Sequence, residues 1–203
     1  MNNQNQSPAY EIQGIFPIPV YQTHRELDLD SSEKKDIEDI MDEGFIFDSG
    51  HSFSNNSYIF NTKLKKIKEF CEQHIKIYVK EIINPKDDLH FYITQSWLNV
   101  TKPNESHHQH YHSNSIISGV FYIETDINQK LNFHDPNAKM IQINASDVLS
   151  FDVNKNILIL FPSWLDHSVK PNKKQTKNVI SISFNTFVRG NLGQQEKLNQ
   201  LIL

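Results

Sequence analysis

The chain has 203 residues, a net charge of −4 and a single cysteine. That length suits one domain with an ample hydrophobic core. The mild acidity gives no reason to expect nucleic acid as a partner, and the lone Cys71 excludes an internal disulfide and any cysteine-based zinc knuckle.

Residues 1–14 are polar and read as a flexible N-terminal tail, with residues 15–203 as a single domain. The tail has neither a basic n-region nor an apolar h-region, and no run of about eighteen apolar residues occurs. A cytoplasmic protein without a membrane segment is therefore expected. Ile15-Phe-Pro-Ile-Pro-Val-Tyr21 is apolar, but Pro17 and Pro19 remove ladder donors, so it reads as an edge strand or extended arm. Helical support is expected over residues 30–83. Asp30-Ser-Ser-Glu33 has the spacing of a capping box, with a short helix to about Met41. A second helix from about Lys63 to Ile82 would bury Leu64, Ile67, Phe70 and Cys71, His74 and Ile75, Tyr78 and Ile82. The segment at about residues 44–57 between them reads as a loop that covers a pocket mouth. Asn84-Pro85 ends the second helix.

Residues 90–188 change texture to strands. Phe91–Val100, Ser115–Glu124 and Asn178–Phe187 are the long ones; shorter ones fall near Leu131–Phe133, Met140–Ile143, Asp147–Phe151 and Ile157–Phe161. Gly119, in the middle of a strand, signals close backbone approach or a bulge. Short strands separated by turn signals suggest a sandwich or barrel. The expected fold class is mainly β with N-terminal helices.

The chemistry of the chain lies in its histidines. Four of the ten fall in His107-His108-Gln109-His110-Tyr111-His112. Imidazole is the commonest protein ligand for zinc, iron and copper at neutral pH. Residues at i and i+2 on a strand point the same way, so His110 and His112 can grip one ion together. His167, after the apolar run Ile157–Phe161, is the best-placed third ligand, with Trp164 expected to keep the site dry. His107 or His108 could orient the site, and His134 with Asp135 forms a reserve pair. The plain alternative is a histidine-rich loop that binds stray ions and a histidine packed against tryptophan.

The strings Ser96-Trp-Leu-Asn-Val100, His110-Tyr-His-Ser-Asn-Ser115, Ser118-Gly-Val-Phe-Tyr-Ile123, Phe161-Pro-Ser-Trp-Leu-Asp-His167 and Ile180-Ser-Ile-Ser-Phe-Asn185 resemble a family of 2-oxoglutarate/Fe(II)-dependent oxygenases of marine bacteria and tailed phages. That family is similar to the prolyl-hydroxylase branch. The resemblance implies a double-stranded β-helix, a jelly-roll or cupin-like barrel, with Fe(II) held by His110, His112 and His167 and with 2-oxoglutarate and O2 as co-reactants. It departs from the wider superfamily in placing His112 where a carboxylate usually stands; Asp135, Asp166 or Glu105 could supply the missing anion. Relatives bind the far carboxylate of 2-oxoglutarate with an Arg or Lys about ten residues past the distal histidine, which points to Lys177. An arginine is also common nearer the start of that strand, where this chain has Val179. Ser181 shares the strand parity of Lys177, and Asn99, Trp97 and Tyr122 are further candidates for the cosubstrate pocket. The implied reaction is hydroxylation of an unidentified small molecule or protein side chain, in the host cytoplasm if a phage encodes the chain. Two rival readings stand beside it: a three-histidine cupin-type dioxygenase that uses no oxo acid, and a non-catalytic, metal-stabilised binding module.

Overall fold

The structure, a computed structural model, describes residues 17–48, 50–86, 89–137 and 147–203. The expected tail over residues 1–14 and the strand expected at Met140–Ile143 lie outside those residues. In chain order the elements are β1 (Tyr21–His24), α1 (Ser31–Asp42), β2 (Phe45–Asp48), β3 (His51–Ser54) and α2 (Lys65–Tyr78). There follow β4 (His90–Thr101), β5 (His107–His110), β6 (Ile117–Glu124), β7 (Lys130–His134), β8 (Val148–Asp152) and β9 (Ile157–Pro162). The last are β10 (His167–Val169), β11 (Val179–Arg189), β12 (Asn191–Leu192) and β13 (Leu201–Ile202). No helix among the described residues is long and apolar enough to cross a membrane.

The helices form for the reasons the sequence gives. The Glu33 amide donates to Asp30 Oδ1 at 2.9 Å and the Asp30 amide donates to Glu33 Oε2 at 2.9 Å, a reciprocal cap worth about 1 kcal/mol. Glu33 is buried and holds Arg25 at 2.8 Å, so the cap also ties the chain entering α1 to the body. α2 buries Ile67, Cys71, Ile75 and Tyr78 at the expected spacing. It then passes into a π-helical turn over Val79–Ile83, closed by the Asn84 amide on Val79 O at 2.7 Å. A turn closed at i→i+5 carries an extra residue, which rotates the following side chains out of phase. That is why Ile82, expected in the buried stripe, is instead exposed.

Eleven of the strands form two antiparallel sheets, one of seven strands in the order β1-β9-β6-β11-β4-β3-β2 and one of four in the order β5-β10-β7-β8, while β12 and β13 pair with each other. These make the double-stranded β-helix. The segment read as a mouth-covering loop is instead the β2–β3 hairpin, which extends the larger sheet by pairing β3 with β4. Its serines, asparagines and glycines mask a strand whose pairing comes from tertiary context.

The larger sheet has two different faces because side chains alternate with period two. On one face Leu98, Phe121, Leu158, Leu160, Ile182 and Phe184 pack beneath α1 and α2. On the other, Val120, Tyr122, Ile159, Phe161 and Val179 meet Leu131, Phe133 and Val169 of the smaller sheet. Gly119 sits where the helical side is tightest: a Cβ there would lie 2.2 Å from Phe184 Cζ and 2.8 Å from Leu160 Cδ2. Gly119→Ala therefore forces the core apart and should destabilise the protein by about 1–3 kcal/mol. Denaturant unfolding measures this, and an unchanged midpoint would contradict it.

Candidate metal centre

β5 and β10 pair so that His167 stands opposite His110. His112 lies just past the end of β5, its amide donating to Ser163 O at 2.9 Å. The result is a cluster in which one nitrogen from each of His110, His112 and His167 lies within 4.8 Å of the others. Ring centroids are 4.3 Å apart for His110–His167, 5.0 Å for His112–His167 and 5.2 Å for His110–His112.

Each ring is oriented through its other nitrogen. Nδ1 of His110 faces His108 O at 2.7 Å, Nδ1 of His112 faces Asn185 Oδ1 at 2.5 Å, and Nδ1 of His167 faces Leu165 O at 3.0 Å. Two of these acceptors are backbone carbonyls, so Nδ1 of those rings is the protonated donor. The same tautomer on His112 suits the amide oxygen of Asn185, which is held in turn by the Ser118 hydroxyl at 3.0 Å. In all three rings Nε2 is left with its lone pair free. Burial holds all three imidazoles below their ordinary pKa, so they stay neutral and able to ligate. Phe161 packs on the His167 ring at 4.7 Å and shields it. The expected shield, Trp164, is instead more than half exposed, because its turn faces outward.

These donors fit a mid-series divalent ion such as Fe(II), Co(II) or Zn(II) and leave other coordination positions open. The group contains no carboxylate among the described residues. Asp166 accepts from Gln109 Nε2 at 3.0 Å, Glu105 accepts from the Lys102 amide, and Asp135 caps its own turn through the Asn137 amide. His134 donates to or accepts from Ser168 Oγ at 2.8 Å and is likewise outside the group.

Two spaces adjoin the cluster. The inner cavity runs between the sheets and is lined by Trp97, Asn99, Tyr122 and Ser181 as well as the three histidines. Four of the five expected cosubstrate residues are thus brought together. Lys177 is not among the lining residues: its side chain is largely exposed and its Nζ lies 4.0 Å from Glu124 Oε2. The outer groove is lined by Phe53, Gln95, Trp97, Tyr111 and Asn185 and shares His110 and His112 with the cavity. Sequence reasoning missed Asn185, His51 and Gln129. Asn185 was visible in principle, since it continues the inward parity of Ser181 and Ser183. His51 stacks on His107 at 4.0 Å, a contact made only by the hairpin.

The class of protein is now defined: a double-stranded β-helix with a three-histidine centre in its mouth. Residues 95–185 match a family model described as "Putative 2OG-Fe(II) oxygenase", a stretch that contains every ligand. Over that stretch the chain matches a family of oxidoreductases that use Fe(II), 2-oxoglutarate and O2, and its three histidines could hold the metal. Among solved structures, it is similar to a Trichoplax adhaerens prolyl hydroxylase in complex with a hypoxia inducible factor oxygen degradation domain peptide fragment. That pair has 13% identity and a TM-score of 0.60, covering 83% of each chain. A Pseudomonas putida prolyl-4-hydroxylase has 13% identity and a TM-score of 0.55, over 85% of this chain and 94% of the other. The viral collagen prolyl hydroxylase of Paramecium Bursaria Chlorella virus-1, in its 2OG complex, has 12% identity and a TM-score of 0.55 over 82% and 94%. At such identities the likeness is one of fold. No curated protein matches the chain in sequence.

Two outcomes follow. Removing the acceptor that orients His112, in Asn185→Ala, should weaken metal affinity by about ten- to a hundredfold, measured by competition with a chelator. An unchanged affinity would show that Asn185 does not orient the ligand. Because the depressed histidines bind protons more readily unfolded than folded, stability rises with pH across their titration. The metal-free protein should lose stability as pH falls below the ordinary histidine value of 6.5, continuing toward about 3, where His107 gains its proton. A melting temperature flat between about pH 7.5 and 5 would contradict this.

Proposed function

We propose that the protein is an Fe(II)- and 2-oxoglutarate-dependent hydroxylase. The observation that carries the proposal is the convergence of His110, His112 and His167, each oriented through Nδ1 so that Nε2 is free. Fe(II) bound there with a chelated 2-oxo acid would let O2 act as the oxidant: one oxygen atom goes to 2-oxoglutarate, which becomes succinate and carbon dioxide, and the other to a C–H bond, which becomes C–OH.

The chain's own part is holding and excluding. His110, His112 and His167 would occupy one face of the ion and leave the opposite face to co-reactants. Three neutral imidazoles leave the charge of the ion uncompensated, and the carboxylate with which the oxo acid would chelate it supplies part of what the ligand set does not. The inner cavity, between the sheets and beside all three ligands, is the place for that acid. The outer groove, where Trp97 stands 5.7 Å from the His112 ring, is the place for the substrate. Its lining joins aromatic rings to neutral amides, which suits an uncharged small molecule or a protein side chain. The peptide bound by the Trichoplax enzyme supports the second of these.

The all-imidazole donor set also favours a second reading, a cupin-type dioxygenase without an oxo acid. Incubation of the iron-loaded protein with labelled 2-oxoglutarate separates the two, since only the first predicts release of labelled succinate. In His110→Ala both iron binding and succinate formation should fall to background, with the fold retained by circular dichroism. Retained turnover in that variant would remove His110 from the centre.

A further inference from the structure

Resting on the oxygenase reading above, we infer that this chain holds the far end of its 2-oxo acid with neutral hydrogen-bonding groups alone, so that the cavity does not select for a second carboxylate. Among the described residues that line the inner cavity there is no lysine, arginine, aspartate or glutamate. Lys177, the cation expected by spacing, is turned outward toward Glu124. Val179 opens β11, is buried, and puts an isopropyl group on the cavity wall where a cation would otherwise reach in.

What the wall offers instead is polar and uncharged. Ser181 of β11 is in register with Tyr122 of β6, so both project from one row of the inward face. Both are buried and line the cavity. Gln129, only 3% exposed, lines the same cavity, and its Oε1 has no hydrogen-bond partner. Unpartnered buried polar groups are rare in folded proteins, and this one, beside two hydroxyl-bearing residues that line the same cavity, marks the surface a ligand completes.

The chemistry of that wall decides the tail it prefers. A carboxylate entering it gives up its hydration without a cation to pair with, and only charge-assisted partners compensate such a loss well. A primary amide of the same shape loses less hydration. It also brings a donor for Gln129 Oε1, which a carboxylate does not. Tyr122 and Ser181 can donate to the oxygen of either tail.

The test compares 2-oxoglutarate with 2-oxoglutaramate, its amide isostere, by isothermal titration of the full chain loaded with Mn(II), so that turnover plays no part. The expected result is a Kd for 2-oxoglutarate no more than about fivefold below that of the amide; a larger preference for the carboxylate overturns the inference. Val179→Arg should shift the preference toward 2-oxoglutarate by about tenfold or more, and no shift in a folded variant counts against the assignment of this wall. Tyr122→Phe should weaken both acids while leaving Mn(II) affinity unchanged, which keeps the test open if the arginine variant does not fold. Binding of neither acid by the metal-loaded protein would overturn the oxygenase reading itself, and this inference with it.

Discussion

The antiparallel pairing of β5 with β10 is the constraint on which the site depends. It sets His167 opposite His110 and brings residues more than fifty positions apart onto one rim. A slip of one residue would turn these side chains to opposite faces. The pairing is fixed from behind by apolar contacts, since Phe133 and Phe161 both pack against the His167 ring. The metal ligands therefore sit on strand ends backed by a core, with backbone carbonyls setting two of the three rings.

Around that rim the interior is polar without being charged. β4 and β11 present Asn99, Ser181 and Ser183 to the space between the sheets, linked by Asn99 Nδ2 donating to Ser183 Oγ at 2.9 Å. Trp97 donates to Asn99 Oδ1 at 3.1 Å, so the ring next to His112 is held by the same row. Such a network is rigid where its members satisfy one another and receptive where they do not. Trp97, Asn99 and Ser183 satisfy one another, while Gln129 Oε1 on the same cavity wall has no partner.

The parts of this arrangement legible in the sequence are those written in local pattern. The capping box at Asp30, the stripe of α2 and the long strands follow from spacing alone; strand parity predicts the His110/His112 pair, but β5 ends at His110 and His112 is set by its amide on Ser163 O. The third ligand came from context and family resemblance, because nothing local joins His167 to residues so far upstream. What could not be read depends on tertiary pairing. The β2–β3 hairpin has no alternating signal of its own, the π turn has no distinctive composition, and Lys177 lies largely exposed with its Nζ 4.0 Å from Glu124, a residue distant in sequence. Counting ten residues past His167 locates a strand start but not the direction of the side chain found there.

The two faces of the larger sheet have a longer-term consequence. Cohesion is concentrated beneath the helices, where buried aliphatic and aromatic side chains interlock. The opposite face combines a smaller apolar cluster with a row of hydroxyls and amides. Replacements in that row leave the helix-side layer untouched, so ligand preference can drift through single exchanges without first eroding the scaffold. A barrel divided in this way is an evolvable one, free to trade an arginine for a valine and remain folded.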